Sequence, residues 1–340
     1  MPTYNPNVDS SGRARKVSDL QGTFHIDTWL TNYSVRYRQD AANFIGGFAA
    51  TQVPVLNESD KYAIYPPGYF WRDEAEVRPL GGRPVQVSYK KETGQYLCEE
   101  WALEHTIDDR ERANVDMPED LDENAVELLD GKQMIREDRI WATNFFKTGV
   151  WTHDYVGGQH FTPFNDVSST PIEVIDQYKT NMAQATGMMP NTIVLGANVH
   201  NALRSNADIV DRVKYTQRGI ATLGLLAELF EVSSVRTARG VYNAAAEGAT
   251  DDMEFIVDPN GMWIGYIEPT ARLNAPTAIA RFGWTGLLGG AANQAGGVIT
   301  RGRDDRATSD WIQNHNAFEY KQVSADLGIF LAYANAPSSN

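Results

Sequence analysis

The stretch Asp116–Gly149, DMPEDLDENAVELLDGKQMIREDRIWATNFFKTG, decides the fold because it has the pattern of one long helix. Asp116 suits the N-cap, Glu119 completes a capping box, and Pro118 falls in the first turn, where its missing N–H is tolerated. Apolar residues recur at helical spacing along one stripe, which comprises Leu121, Ala125, Leu128, Ile135, Ala142 and Phe146. Gly149 supplies the stop. About thirty residues at about 1.5 Å each give a rod of roughly 45 Å, which predicts an extended molecule.

Three residues interrupt this helical pattern. Gly131 costs about 1 kcal/mol relative to alanine in a helix interior. Lys132 and Arg139 fall on the stripe where a fully buried helix would carry apolar residues. We therefore expect a half-buried helix, with Leu128 in the core and with Lys132 and Arg139 facing solvent or a neighbouring subunit.

The composition is that of a globular protein with an acidic balance. The chain has 340 residues, a net charge of −14 and a single cysteine, Cys98. This length can bury a sizeable core divided among two or three subdomains. One cysteine excludes an internal disulfide, and no apolar run has the length of a membrane span or a signal peptide core. The negative charge disfavours direct contacts to nucleic acid phosphates, whereas an acidic surface facing packaged DNA remains compatible with it.

The segments before the long helix lack an obvious core of their own. Residues 1–21 are polar and hold a basic cluster, Arg13, Arg15 and Lys16, so they form either an arm received by a partner or a solvated terminus. His25–Ile45 has an aromatic-rich helical stripe that ends at Gly46. This pattern predicts a helix that follows the arm.

From Gln52 to Ile107 the pattern changes to β structure. Pro54 between two valines indicates an edge strand or the start of a strand. Alternation at Val85, Val87 and Tyr89, followed by a turn into Tyr96–Trp101, predicts a long hairpin. Basic residues are spread along it: Arg72, Arg78, Arg83, Lys90 and Lys91. Because an isolated two-stranded ribbon is marginally stable, we expect this one to lie on another surface, such as a second copy of the chain.

The region from Thr170 to Ile299 predicts a compact α/β unit. A capping box with Pro171 starts one helix and Gly187 ends it, and a buried strand follows at Thr192–Leu195. Further helices are predicted at Asn198–Arg204, Ala207–Tyr215 and Thr222–Phe230, a strand at Val232–Val235, a hairpin at Phe255–Ile267, a glycine-rich connector at Gly283–Gly302 and a β return at Asn316–Tyr333.

No residue pattern predicts a catalytic, cofactor or metal site. The carboxylates Glu99, Glu100, Glu104, Asp108 and Asp109 resemble a hydrolytic pair in type only, because neighbours on a strand point to opposite faces. His153, Asp154 and His160 lack the spacing of a metal site. The glycines at 283, 286, 289 and 290 do not form a phosphate-binding motif. Cys98, without a histidine partner nearby in sequence, is expected to be a buried structural thiol.

Several strings resemble the major capsid proteins of tailed bacteriophages, which have the Hong Kong 97-like capsid fold. The clearest is Pro190–Gly196 (PNTIVLG), followed by Val199–Arg204 (VHNALR) and Ala207–Tyr215 (ADIVDRVKY). Tyr96–Ile107, leading into the long helix, and the Asp258–Ile267 segment support the resemblance, which covers about the whole chain.

The resemblance implies an α+β fold with five segments. Residues 1–55 would be the N-terminal arm and first helix, 56–107 the extended β-hairpin loop, and 108–169 the peripheral domain with its spine helix. Residues 170–300 would be the α/β axial domain and 301–340 a return to the peripheral domain. Covalent cross-linking is not predicted, because no asparagine or catalytic acid can be matched to the loop lysines.

The implied function is that of a structural protein, not an enzyme, which assembles as hexamers and pentamers into an icosahedral head enclosing double-stranded DNA. Its partners would be copies of itself, a separate scaffolding protein and a portal, with or without a decoration protein. No membrane would be involved, and the virion would be assembled in the host cytoplasm. The cations of the arm and loop, Arg13, Arg15, Lys16, Arg72, Arg78, Arg83, Lys90 and Lys91, are the predicted subunit interface. The alternatives are an encapsulin-type nanocompartment shell and a soluble enzyme with a carboxylate site at Glu99–Glu104.

Overall fold

The computed structural model describes residues 25–26, 42–64, 67–114, 118–213, 222–270, 275–293 and 295–336. Its helices are α1 (Asp109–Asn114), α2 (Pro118–Phe145), α3 (Pro171–Thr186), α4 (Ala197–Ser205), α5 (Ala207–Val213) and α6 (Leu223–Leu229). Its strands are β1 (His25–Ile26), β2 (Thr51–Val55), β3 (Ser59–Ile64), β4 (Glu92–Leu97), β5 (Glu99–Asp108), β6 (His153–Val156), β7 (Thr192–Gly196), β8 (Ser234–Ala238), β9 (Val241–Asn243), β10 (Met253–Phe255), β11 (Met262–Gly265), β12 (Ile279–Trp284), β13 (Gly297–Asp304), β14 (Ser309–Gln322) and β15 (Gly328–Ala332). No helix within these ranges combines the length and apolarity needed to cross a membrane.

The predicted long helix is confirmed as α2, which has 28 residues and passes through Gly131 without a break. A side chain at Gly131 would meet open space, so this glycine serves no close approach. Lys132 and Arg139 are exposed, as expected for a half-buried helix. The helix ends at Phe145, four residues before the predicted stop at Gly149.

The predicted buried stripe of α2 is confirmed at Ala125 and Phe146 but was wrong at Leu128. Leu128 is 46% exposed, whereas its neighbour Leu129 is 3% exposed. The buried side of the helix holds apolar residues together with four polar ones: Ala125, Val126, Leu129, Trp141 and Phe145, with Asp130, Gln133, Glu137 and Asp138. A stripe drawn through apolar residues alone therefore missed the polar part of the contact face.

The helix α2 packs on a six-stranded sheet whose central strand is β14. Along one edge, β14 pairs first with β13 and, in its last residues, with β12; along the other edge it pairs with β5. The parallel strand β2 lies beyond β12 at the edge, which confirms the edge position predicted from Pro54. A small core joins Leu129 of α2 to Ile107 and Ile312 of the sheet. The sheet thus supports the helix along its first half.

The second layer is a five-stranded sheet in the order β6-β15-β11-β7-β8, which packs with helices α3 to α6 around the largest core of the described residues. The helix α3 has its predicted proline at the start, although Thr170 makes no side-chain cap hydrogen bond, and Gly187 caps its end with φ +73°. The predicted buried strand is β7 and the three following helices are α4, α5 and α6. Side chains of Trp141 and Trp263, 6.0 Å apart, join α2 to this core.

The predicted hairpin at Phe255–Ile267 was wrong. The turn at Asp258–Gly261 is present, with Gly261 N donating to Asp258 O at 3.3 Å. The strands beside it pair elsewhere: β10 pairs with β9, and β11 lies between β7 and β15. The predicted glycine-rich connector, Gly283–Gly302, forms strand at its two ends, in the last two residues of β12 and in β13, whereas the described residues between them lie outside the strands.

The N-terminal helix prediction was wrong at its described ends. His25 and Ile26 form strand β1 against Thr300 and Arg301 of β13, residues 42–43 form a turn, and residues 44–45 are not helical. The middle of the predicted helix, residues 27–41, lies outside the described residues. The alternation at Val85–Tyr89 does not form a strand, and the ribbon ladder is confined to β3 and β4.

The sheets cross the segment bounds that the resemblance implied. Strand β5, which lies in the 56–107 segment except for its last residue, belongs to the six-stranded sheet, as does β12 of the 170–300 segment. Strand β13 of the same sheet spans the bound at residue 300. Strand β15, in the 301–340 segment, belongs to the five-stranded sheet. Each sheet is therefore built from distant parts of the chain.

Candidate assembly surfaces

The ribbon of β3 and β4 is rooted in a small aromatic core. Tyr96 stacks on Phe282 of β12 with centroids 4.5 Å apart, and Tyr62 contacts the same ring at 5.3 Å. Tyr62 pairs across the ribbon with Gly94, whose lack of a side chain leaves room for the tyrosine ring. Cys98 lies beside this core, and burial, with the nearby Glu319 carboxylate, raises the pKa of its thiol to about 12. The root is thereby fixed to the six-stranded sheet, and the thiol is held in its neutral form.

Beyond this root, residues 67–91 form a projecting loop without a β ladder. Its stem is closed by Phe70 and Tyr89, whose rings are 5.6 Å apart. Its tip turns where Gly82 N donates to Pro79 O at 2.9 Å, and Arg78 Nε donates to Gly82 O at 2.6 Å. These contacts give the loop local order without a core of its own.

The projecting loop exposes apolar side chains that find no cover among the described residues. Val77 and Leu80 near the tip are almost fully exposed, and Val85 and Val87 are at least half exposed. Trp71 is 64% exposed, although its ring lies over Gly187 at the end of α3. A run of exposed apolar residues of this kind marks an interaction surface. The loop therefore has the character of an element completed by contact with another molecule.

The predicted interface cations divide into two groups. Arg72, Arg78, Arg83, Lys90 and Lys91 all lie on the projecting loop and are exposed. Arg72 contacts Glu74 at 3.9 Å and lies 5.0 Å from the Tyr69 ring. Arg13, Arg15 and Lys16 fall outside the described residues. The loop group thus shares one surface with the exposed apolar side chains, and its role in assembly remains a prediction.

A buried polar network, which the sequence analysis missed, fixes α2 to the six-stranded sheet. Arg281 of β12 is 2% exposed and its Nη2 contacts Glu137 Oε1 of α2 at 3.0 Å. The same carboxylate accepts from Asn316 Nδ2 at 2.5 Å, and the guanidinium also donates to Ala295 O at 2.7 Å. The guanidinium lies 4.6 Å from the Phe318 ring. The sequence feature that could have indicated this network is the spacing of Asp130, Gln133 and Glu137, which places them on one face of the helix.

The next residue of α2, Asp138, holds the segment that precedes β2. Its carboxylate accepts from Ile45 N at 2.9 and 3.0 Å and from Gly46 N at 2.6 Å. Burial raises the pKa of Asp138 to about 7, and the backbone hydrogen bonds from Gly46 and Ile45 partly oppose this rise. Asp138 thus joins the spine helix to the end of the N-terminal segment.

Carboxylates and histidines that resemble catalytic or metal-binding groups are held in structural contacts. Glu100 contacts His315 Nδ1 at 2.7 Å and Glu104 accepts from Gln313 Nε2 at 2.5 Å, both across the β5–β14 pair. His160 Nδ1 accepts from Val156 N at 3.0 Å, within its own loop. In the part of the chain that the structure describes, no group of three or more His, Cys, Asp or Glu side chains is placed to hold a metal ion.

Comparison with known proteins gives matches in sequence and in fold. Residues 152–253 match the family model described as Phage major capsid protein E. The major capsid protein of Burkholderia phage BcepMu is 27% identical over 233 residues, which cover 66% of this chain and 73% of that protein.

Two solved structures superpose on nearly the whole of this chain. A phage-related protein from Bordetella bronchiseptica RB50 superposes with a TM-score of 0.72 at 18% identity, covering 93% of this chain and 99% of that chain. The SrpI encapsulin of Synechococcus elongatus PCC 7942 superposes with a TM-score of 0.52 at 9% identity, covering 96% and 99%. The resemblance to the major capsid proteins of tailed phages is therefore confirmed: the chain has the Hong Kong 97-like α+β fold, and its residues 152–253 match phage major capsid protein E.

Proposed function

We propose that this chain is a structural major capsid protein, which assembles as hexamers and pentamers into an icosahedral phage head enclosing double-stranded DNA. The observation that carries the proposal is the match of residues 152–253 to phage major capsid protein E within a chain whose fold follows a phage-related structure over 93% of its length. In this role the protein is a component of the virion and is assembled in the host cytoplasm.

The exposed surfaces support self-assembly. The projecting loop carries apolar and basic side chains that find no cover in the described part of a single copy. Contacts between copies would remove these apolar groups from water, at about 25 cal/mol per Å² of buried apolar surface. In a closed shell every copy offers the same surfaces, so a contact that is modest in one pair is repeated across the lattice.

The segment assignments follow from the same role. Residues 1–55 act as the N-terminal arm and first segment, 56–107 as the extended loop, 108–169 and 301–340 as the peripheral domain, and 170–300 as the axial domain. Besides copies of itself, the shell takes a scaffolding protein during assembly and a portal at one vertex, with or without a decoration protein on its surface. No enzymatic step is assigned to the chain, and Glu100 and Glu104 act as cross-strand contacts of the sheet.

An encapsulin-type shell is the second candidate, because the SrpI encapsulin shares the fold over nearly the whole chain. The two candidates differ in what the particle encloses. A phage head takes up nucleic acid, whereas an encapsulin encloses a protein cargo. The sequence match to a phage capsid family favours the first.

The full chain, expressed alone and together with a phage scaffolding protein, provides the test. Electron microscopy and size-exclusion chromatography should show hexamers, pentamers or closed shells. A protein that stays monomeric under every condition would refute the proposal. Shells that form without scaffold and copurify with one cellular enzyme, rather than with scaffold, would instead identify the encapsulin-type function.

A further inference from the structure

The ribbon of β9 and β10 has one face that nothing covers in the described residues. In its antiparallel register Val241 pairs with Phe255, and Asn243 pairs with Met253. Because strand residues two apart share a face, Val241, Met253 and Phe255 lie together on one side. They are 41%, 62% and 43% exposed. Three large apolar side chains on one face of a short ribbon form a patch of the kind found at protein interfaces.

The opposite face of this ribbon is already occupied. Tyr242 and Glu254 share that face, where the tyrosine hydroxyl donates to Glu254 Oε2 at 3.0 Å. The guanidinium of Arg139, on the exposed side of α2, lies 4.4 Å from the Tyr242 ring. The Tyr242 face of the ribbon thus contacts the long helix α2, and the opposite face, with Val241, Met253 and Phe255, points away from that helix.

The ribbon and its connection, residues 241–256, carry charge of one sign. They contain four acidic residues and no basic one: Glu247, Asp251, Asp252 and Glu254. All four are exposed, and none of them enters an ion pair within the described ranges. We call this surface the acidic ribbon. It offers an apolar patch beside a concentrated negative charge.

The projecting loop has the complementary chemistry. Residues 67–91 hold five basic and three acidic side chains, in a chain whose overall charge is −14. Arg83, Lys90 and Lys91 are exposed and form no ion pair among the described residues. Val77, Leu80, Val85 and Val87 supply exposed apolar groups between the cations. Complementary charge guides association and fixes register, whereas apolar contact supplies affinity.

We propose that the acidic ribbon receives the projecting loop of a neighbouring copy of this chain. The occupant is a second copy because, within one copy, the loop and the ribbon both leave their apolar side chains exposed. In the complex the loop valines cover Val241, Met253 and Phe255, and Arg83 and Lys90 meet Glu247 and Asp252. The inference rests on the proposed function, since it names the surface through which subunits of the shell hold one another.

Exchange of charges tests this contact. Arg83→Glu with Lys90→Glu reverses the loop, and Glu247→Lys with Asp252→Lys reverses the ribbon. Each pair of substitutions should weaken the association constant of one loop–ribbon contact about tenfold, which corresponds to about 1.4 kcal/mol, and should lower the assembled fraction. The chain with all four substitutions should recover assembly to within about threefold of the unmodified chain. Glu173→Lys, at an exposed position of α3, is the control and should assemble normally.

The outcomes separate this inference from the proposed function. Particles from the unmodified chain, with the fourfold variant no better than the worse of its parents, would overturn the loop–ribbon contact and leave the shell function standing. Failure of the unmodified chain to assemble with its scaffold would overturn both.

Cysteine cross-linking gives an independent readout. Val87→Cys and Met253→Cys in one chain should yield a ladder of covalent oligomers when assembled particles are oxidised. Each single variant should stay monomeric on a denaturing gel, because Cys98 is buried. A covalent dimer from Met253→Cys alone would show ribbon facing ribbon and would overturn the proposal, as would the absence of a ladder from the double variant.

Discussion

Removing the charge of Glu137 should destabilise the subunit strongly. The carboxylate is the counter-charge of Arg281, whose side chain is 2% exposed, with an Nη2–Oε1 distance of 3.0 Å. Glu137→Gln keeps an oxygen that accepts from Asn316 but leaves the guanidinium buried without an opposite charge. Removing one partner of a buried ion pair costs about 3–5 kcal/mol, and we expect the lower end because the amide retains the hydrogen bonds.

The assay is urea unfolding of the unassembled subunit, followed by tryptophan fluorescence. Arg281→Met removes the guanidinium and keeps most of the aliphatic stem, and the double variant closes a thermodynamic cycle. Because each single variant leaves a buried polar group without its partner, the double variant should lose less than the sum of the two, by at least about 1.5 kcal/mol.

Lys132→Ala is the matched control, since Lys132 lies on the same helix and is exposed. It should change stability by less than about 0.5 kcal/mol. Strictly additive losses from Glu137→Gln and Arg281→Met, or a loss below about 1 kcal/mol for Glu137→Gln, would refute the reasoning that the pair is buried and mutually dependent.

Three further predictions concern the helix, its carboxylate and the thiol. Burial raises the pKa of Asp138 to about 7, above about 3.9 in the unfolded chain, so between these pH values the native state binds more protons than the unfolded chain. The contribution of Asp138 to the free energy of unfolding should therefore fall as pH rises across that window, by up to about 1.4 kcal/mol per pH unit. The stability difference between the unmodified chain and Asp138→Asn should therefore change from pH 4 to 7 and level off above pH 8; a constant difference would contradict the assignment. Leu129→Asp should unfold the subunit or cost more than about 3 kcal/mol, whereas Leu128→Asp should cost less than about 1 kcal/mol, as measured by soluble yield and melting temperature; the reverse order would mean that the helix is turned by one residue. Cys98 should resist a thiol reagent at pH 8 in the native protein and react once urea is added, because burial raises its pKa to about 12; fast native labelling would place it at the surface.

Local signals predicted the elements whose structure is decided locally. The proline that opens α3 and the glycine that ends it lie within one or two residues of the helix, so the sequence contains both boundaries. The strand at Thr192–Gly196 is buried at every position, and its continuous apolar character reflects its place inside the sheet. These elements need no information from distant residues.

Local sequence signals could not predict which strands pair. The turn at Asp258–Gly261 has the composition of a hairpin, yet β11 after it inserts between β7 and β15. The partners of β11 begin about 70 residues earlier and about 65 later in the chain, so their approach depends on the whole core rather than on the turn. The preceding strand, β10, is left to pair with β9 and forms the acidic ribbon.

The polar part of the contact face of α2 was missed for a related reason. A pattern based on apolar spacing assigns polar residues to solvent, so it filled the core side with Leu128 instead. The structure instead buries Asp130, Gln133 and Glu137, because each finds a partner on the sheet. Asn314 Nδ2 donates a hydrogen bond to Asp130 Oδ1 at 2.5 Å, and Arg281 Nη2 donates one to Glu137 Oε1. Those partners lie 144 to 184 residues away along the chain, where no helical periodicity can indicate them.

The buried polar face also explains how a long helix keeps one position on its sheet. Apolar contacts are not directional and allow a helix to shift by a turn at little cost, whereas a hydrogen bond fails beyond about 3.5 Å. Gln133 Nε2 donates to Trp101 O at 2.8 Å, one turn before the Glu137–Arg281 contact. A shift of one turn, about 5.4 Å, would break both contacts and leave a buried charge unpaired. The shape of the subunit is thus fixed from within, and a shape that does not vary is what repeated contacts in a closed shell require.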